Sequence, residues 1–253
     1  MGTLFLVATP IGNLGDISVR ALETLRMADV IACEDTRQTL KLLSHFGIQK
    51  TLISYHDFNE REKSTELAGR IEQGENLALV SDAGTPAISD PGYRLVRLCR
   101  ERGIPVVSIP GANAAITALS ASGLPSDQFL FVGFLPPRRT ARREHLETLR
   151  SFPGTLIFYE GPHRILAALE DMQEILGDRE TCIGRELTKI HEEYLFGKLS
   201  QVRQRIKELG EFVVVVGGFT GGNDELSQKL TREAVLKTLG ISRNQLYDLF
   251  FKK

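Results

Sequence analysis

The sequence predicts an α/β protein, with a mostly parallel N-terminal sheet, a second mixed α/β domain and a small helical tail. Three observations carry that prediction. From residue 3 to about 120, short apolar runs alternate with amphipathic stretches of helical length, the pattern of βαβ units built around a parallel sheet. A second alternation of the same kind runs from residue 129 to 216. The chain has 253 residues, 42% hydrophobic and 25% charged, which suits one large or two medium globular domains with a sizeable core.

In the first domain, apolar runs at 3–8, 29–33, 51–55, 77–81 and 105–109 read as strands. The first of these lacks a basic leader and ends at Pro10, too short for a signal peptide or a membrane span, so it is read as a core strand. Ser18 is placed to cap a helix over Val19 to Met27, because a hydroxyl just before the periodic segment can satisfy a free backbone N–H. Thr36 is read as the cap of the next helix, Arg37 to Phe46, with Gly47 as its stop, and Gly103-Ile104-Pro105 closes a third. A boundary near Ser122 divides the chain into 1–121 and 122–220.

The second domain is expected to hold strands at 129–134, 154–159, 180–185, 193–198 and 211–216, with helices at 141–151, 163–176 and 201–209. Residues 221–253 read as a linker and two short helices, Leu226 to Leu239 and Arg243 to Phe251, joined across Gly240-Ile241-Ser242. That tail is helix-turn-helix-like. Short helix pairs are more often packing units, so docking or an accessory RNA contact ranks above sequence-specific DNA binding.

A formal charge of −1 excludes a uniformly basic coat, so any polyanion must be met by a local patch. Cys33, Cys99 and Cys182 have neither CxxC spacing nor a His cluster, which points to reduced thiols, no metal site and a cytoplasmic location.

Ligands of open parallel sheets collect beyond the carboxyl ends of the strands. Here those ends are polar: Thr9-Pro10-Ile11-Gly12-Asn13, Glu34-Asp35-Thr36-Arg37, Tyr55-His56-Asp57, Asp82-Ala83-Gly84-Thr85-Pro86 and Pro110-Gly111-Ala112-Asn113-Ala114. The fourth belongs to LVSDAGTPAISDPG, Leu79 to Gly92, where an apolar strand runs into residues that make turns and admit close backbone approach, as a ligand loop requires. Neither a G-x-G-x-x-G run nor a Walker lysine is present, so a cofactor held by loop amides and carbonyls fits better than a diphosphate.

Thr9-Pro10-Ile11-Gly12-Asn13-Leu14, the Ala83-Gly84-Thr85-Pro86 loop and Ile109-Pro110-Gly111 resemble the tetrapyrrole methylase superfamily. Glu34 to Arg37, SDAGTPAISDPG, Phe158 to Arg164 and Gly184 to Lys189 resemble its branch that 2′-O-methylates a decoding-centre cytidine of 16S rRNA, and the likeness spans residues 3 to about 219. Tetrapyrrole-modifying members carry Gly-Asp-Pro where this chain has Gly84-Thr85-Pro86, a departure that fits the RNA branch. The resemblance implies a two-domain tetrapyrrole-methylase-like fold, S-adenosylmethionine as cofactor, 16S rRNA or the 30S subunit as substrate, and a homodimer. It implies cofactor contacts from Pro10, Ala83, Gly84, Thr85, Ile88, Asn113 and Ala114, with Glu160 and Glu186 contributed by the second domain.

Methyl transfer to a ribose hydroxyl calls for alignment of three atoms and for a group that takes the hydroxyl proton. Asp35, His56 and Asp82, at neighbouring strand ends, are the candidates. Asp35 equally suits the N-terminus of the following helix, and His56 the capping of a strand end. Arg37 is suited both to bidentate phosphate contact and to pairing with Glu34 or Asp35. Arg138, Arg139, Arg142 and Arg143 form the one strongly basic run, read as an RNA-backbone contact, with pairing to Glu144 and Glu147 as the alternative. Rival functions are a porphyrinoid C-methyltransferase and a non-enzymatic nucleic-acid-binding regulator.

Overall fold

A computed structural model of the protein describes residues 1–221, and the expected helix-turn-helix-like tail lies outside the described residues. The first sheet contains β1 (Leu4–Val7), β2 (Val30–Cys33), β3 (Thr51–Ser54), β4 (Leu77–Val80) and β5 (Val106–Ile109) in the order β3-β2-β4-β1-β5. Every pairing in it is parallel. Four helices sandwich it, which is why β2 and β4 are buried throughout and read as unbroken apolar runs.

The period of two along each strand sends alternate residues to opposite layers. Ile31 and Cys33 pack with Ala21, Leu25 and Leu43 of α1 (Val19–Met27) and α2 (Thr36–His45). Val30 and Ala32 pack with Leu67, Ile71 and Leu95 of α3 (Glu60–Glu72) and α4 (Tyr93–Glu101). The chain therefore leaves β1 toward one edge of the sheet and β4 toward the other, although the two strands are neighbours. That makes their carboxyl ends the topological switch point, where a crevice must open.

α5 (Ala114–Ala121) carries the chain to the second sheet. Its Ala115, Ala118 and Leu119 pack on Ile157, Cys182, Val213 and Val215 of that sheet. The second sheet holds β6 (Phe129–Phe134), β7 (Thr155–Glu160), β8 (Glu180–Arg185), β9 (Glu193–Lys198) and β10 (Phe212–Val216), ordered β6-β7-β10-β8-β9. Only β6 and β7 pair in parallel. Its other face is covered by α6 (Arg139–Leu149), α7 (Ile165–Leu176) and α8 (Leu199–Arg205), with Leu146, Leu169, Met172 and Val202 packed on Phe158, Ile183 and Val214.

Each expected strand is present to within about a residue, and Ser18 caps α1 by accepting from Ala21 N. Two local expectations need correction. Asp35, not Thr36, is the N-cap of α2, because its carboxylate accepts from Arg37 N and serves the helix dipole better than a hydroxyl. The last helix runs from Leu199 to Arg205 rather than from 201 to 209. All three cysteines are buried free thiols, and burial pushes Cys99 and Cys182 up to about 11.

Candidate active site

A cleft of about 410 Å³ opens between the two sheets, at the carboxyl ends of β1, β4 and β5. Its first-sheet wall is built by the loop after β4. Gly84 and Thr9 exchange backbone hydrogen bonds, 2.8 Å from Thr9 N to Gly84 O and 3.1 Å in return, which ties this loop to the end of β1. Gly84 has φ +86°, so a side chain there would be strained, while its Cβ would meet Ile11 Cγ2 at 3.4 Å, an ordinary contact. Thr85 Oγ1 donates to Ala112 O at 3.2 Å, joining the same loop to the turn after β5. Asn113 closes that turn as the N-cap of α5, its Oδ1 accepting from Ile116 N at 3.1 Å.

The opposite wall comes from the second sheet. Tyr159 OH accepts a hydrogen bond from Ala115 N at 3.2 Å, and Phe131 and Phe134 stand edge-on to its ring at 5.0 and 5.6 Å. Two apolar side chains face the cleft from backbone held in the left-handed region: Ile88 lies between Ala87 (φ 67°) and Ser89 (φ 60°), and Leu187 between Glu186 (φ 50°) and Thr188 (φ 64°). Each such residue costs about 1–3 kcal/mol and is held only where its surroundings demand it, as at ligand clamps.

The structure brings together seven of the residues expected to hold a cofactor: Ala83, Gly84, Thr85, Ile88, Asn113, Ala114 and Glu160 all line this cleft. Pro10 instead lines an adjoining recess with Thr9, Ser81 and Asp82. Glu186 is not on the wall. Its carboxylate accepts from Lys189 Nζ and Glu211 N, both at 2.9 Å, so it closes its own loop while Leu187 and Lys189 reach the cleft. Glu160 lines the cleft with its carboxylate already engaged by Arg164, at 2.7 Å, and by Gly161 N, at 2.9 Å.

The proposed proton acceptors are set apart by their partners. Arg37 donates to Asp35 through its side chain and its backbone, and these bonds draw the Asp35 carboxyl down to about 2. Of the two readings of Arg37, pairing with Asp35 is the arrangement present, at 2.7 Å. Asp82 accepts from Asp35 N at 3.0 Å. The Nδ1 of His56 is buried without a hydrogen-bond partner among the described residues, and its ring stands edge-on to the fully exposed Phe58 at 6.0 Å.

Asp90 was predicted only as a turn residue, yet it lines the cleft and carries the clearest chemical signature there. Burial, reinforced by Glu34, Asp82 and Asp57, pushes its carboxyl up to about 7, against the pull of the Ser81 hydroxyl. Glu34 is raised as well, first by burial and then by Asp82 and Asp57. No sequence pattern marks Asp90 out, because its acidic neighbours come from the ends of three strands. Tyr159 and Lys189 also line the cleft; both lie in the second-domain motifs, but neither was singled out as a site residue.

Within the basic run, Arg142 requires a correction. Arg139, Arg142 and Arg143 converge on Asp171 of α7, with contacts of 3.2, 2.6 and 2.9 Å, and Arg143 also pairs with Glu174. Their spacing along α6 puts them on one helix face, and that face meets α7. Arg142 is 5% exposed, so its guanidinium is out of reach of a phosphate. The alternative pairing with Glu144 and Glu147 is not present for these three. Arg138 precedes α6, exposed and with no ion pair among the described residues.

Among the described residues no group of three or more His, Cys, Asp or Glu could hold a metal ion, and no helix is long and apolar enough to cross a membrane.

The profile of the tetrapyrrole (corrin/porphyrin) methylases matches residues 3–203. The chain is 47% identical to ribosomal RNA small subunit methyltransferase I of Micromonospora olivasterospora, over 98% of this chain and 86% of that protein. It is 54% identical to the protein of that name from Halalkalibacterium halodurans, over 86% of this chain and 76% of the relative. The same name belongs to an Escherichia coli O157:H7 relative at 49% identity, covering 93% and 84%. Among solved structures, uroporphyrin-III C-methyltransferase from Thermus thermophilus complexed with S-adenosyl homocysteine superposes with a TM-score of 0.59 at 20% identity, over 85% of this chain and 97% of that one. A diphthine synthase gives 0.64 at 18% identity, over 85% and 90%. These last two likenesses concern the fold. A switch-point cleft between two α/β sheets, a profile match across most of the chain and relatives near 50% identity together establish that the chain belongs to the tetrapyrrole methylase family.

Proposed function

We propose that this chain transfers a methyl group from S-adenosylmethionine to the 2′-hydroxyl of a cytidine in 16S rRNA. The observation that carries the reading is the 47–54% identity, over most of both chains, to relatives named ribosomal RNA small subunit methyltransferase I. Tetrapyrrole-modifying structures share the fold at 20% identity or below, which leaves their substrates without support here.

The cleft suits the cofactor. When bound, S-adenosylmethionine supplies a methyl group made electrophilic by a sulfonium centre. Two features favour such a ligand: apolar walls at Ile11, Ile88 and Leu187, and a backbone turn at Gly84 whose φ of +86° favours glycine. Lys189, the cation on the wall, is committed to Glu186 and Glu211, so no free phosphate cradle is formed by it. Ala83, Gly84, Thr85, Asn113 and Ala114 would hold the cofactor from the first sheet, with the residue at 160 behind it.

RNA recognition rests on two exposed features. Arg138 offers a charge to phosphate, and Phe58, 99% exposed beside His56 on the strand-end rim, offers a face on which an unpaired base can stack. The active species is read as a cytoplasmic homodimer.

Tritium transfer from labelled cofactor to 30S subunits, free 16S rRNA and a porphyrinoid tests the reading. Label on the ribosomal RNA, lost when the target ribose is replaced by deoxyribose in a reconstituted subunit, is the expected result. Label on the porphyrinoid alone would overturn it. Light scattering at micromolar concentration tests the dimer.

A further inference from the structure

Among the described residues, three carboxylates line the cleft: Asp90, Glu160 and Glu211. Glu160 is paired with Arg164 and Glu211 with Lys189, whereas Asp90 has no ion pair among the described residues. Off the wall, Asp35 is held by Arg37, and Asp82 is occupied with Asp35 N. From this geometry we propose that Asp90 is the general base of the reaction, its carboxylate accepting the proton of the acceptor hydroxyl during transfer. The inference rests on the reading that the acceptor is a ribose hydroxyl.

The step balances without a further reactant. The acceptor oxygen bonds to the methyl carbon, the pair of the breaking carbon–sulfur bond stays on sulfur, and the hydroxyl proton passes to Asp90. A sulfonium and a carboxylate become a thioether and a carboxylic acid, so opposite charges are neutralised together inside the cleft.

The surroundings suit the task. Glu34 after β2, Asp57 after β3 and Asp82 after β4 face Asp90 from the first sheet, and Tyr159 faces it from the second. A base surrounded by like charge and partly withdrawn from water is more basic than an ordinary aspartate, and a base poised near neutrality is most effective near neutral pH. The loop is held on both sides of Asp90. Ser89 before it is left-handed, and Gly92 after it donates to Glu60 Oε1 at 3.1 Å. At Gly92 a Cβ would come within 3.0 Å of Leu79 Cδ2, so the loop lies directly on the sheet.

The test is single-turnover methyl transfer to 30S subunits across pH 5 to 9, for the wild type, Asp90→Asn and Asp90→Glu. It is paired with calorimetry of S-adenosylhomocysteine binding and with carboxyl carbon-13 NMR. The wild-type rate is expected to rise with an inflection near 7, matching a carboxyl resonance that titrates there and is missing from Asp90→Asn. Asp90→Asn should lose about 10²–10⁴-fold in rate and the inflection with it, while binding S-adenosylhomocysteine within about threefold of wild type. Asp90→Glu should recover part of the rate and the inflection. An Asp90→Asn rate within tenfold of wild type, an unchanged inflection, or a loss of cofactor affinity equal to the loss of rate would each overturn the proposal. No transfer by the wild type to 30S subunits or free rRNA would instead remove the RNA reading beneath it.

Discussion

Arg142 and Asp171 meet at 2.6 Å with both side chains withdrawn from water, 6% and 0% exposed, and this pair fastens α6 to α7 on the outer face of the second sheet. Burial alone would raise the Asp171 carboxyl, but hydrogen bonds from Arg143, Arg142 and Arg139 outweigh it and hold the group below its ordinary value. Asp171→Ala leaves a buried guanidinium without a counter-charge, so a loss of about 3–5 kcal/mol in unfolding free energy is expected by urea denaturation. Because the folded carboxyl is depressed, its contribution is present above the unfolded value and lost as pH falls below it. The wild type should therefore lose more stability than Asp171→Ala on acidification.

The proposed reading gives Arg138 to RNA and Arg142 to folding. Arg138→Ala should lower the slope of log affinity against log salt for 16S rRNA by about 1 with little change in melting temperature. Arg142→Ala should lower the melting temperature instead. Measuring both variants by filter binding and by thermal unfolding checks the division.

Gly84 is expected to tolerate alanine poorly. The substitution places a Cβ at φ +86°, 3.4 Å from Ile11 Cγ2, on the wall that would receive the cofactor. A left-handed penalty of about 1–2 kcal/mol should appear as lost unfolding free energy by urea denaturation, and the added methyl on the wall should weaken S-adenosylhomocysteine binding by calorimetry. An unchanged dissociation constant would remove Gly84 from the cofactor wall.

Tyr159→Phe keeps the ring packed against Phe131 and Phe134 but takes away the acceptor of Ala115 N. The amide at the start of α5 is then left unsatisfied between the sheets, at a cost of about 1–3 kcal/mol. Urea unfolding should show that loss, and hydrogen exchange should show the Ala115 amide exchanging faster.

Asp90 gives a stability signature of opposite sign to that of Asp171. Its folded value is raised to about 7, so its contribution is present below the unfolded carboxyl value and fades as pH rises toward 7. Asp90→Asn does not ionise. Between pH 4 and 8 it should gain on the order of 1–2 kcal/mol relative to wild type, an amount reduced by the water that still reaches the group. Chemical denaturation at the two pH values checks the sign.

Much of this fold is legible along the chain because its causes are local. Leu77 to Val80 reads as a buried strand from its unbroken apolar run, and the loop after it reads as a ligand site from its own turn residues and its place beyond a parallel strand. Ser18 caps α1 through a bond spanning three positions, which spacing alone predicts. Arg142 misled because Asp171 lies 29 residues away, and no local pattern announces that pairing. Glu186 resembled a cofactor contact, but its left-handed backbone turns the carboxylate to Lys189 and Glu211 N.

By itself, the sequence determined the fold class, the strand set, the family resemblance and the loop that would cradle the cofactor, since each depends on residues near one another in the chain. Tertiary structure alone decided which charges are spent on one another and which stay available. Asp171 takes up three arginines, Arg37 takes up Asp35, and Asp90 on the cleft wall is left without an ion pair among the described residues. The reason is that a side chain's ionisation follows its distance from water and from other charges, and those distances arise only when separate strand ends and helices are brought together.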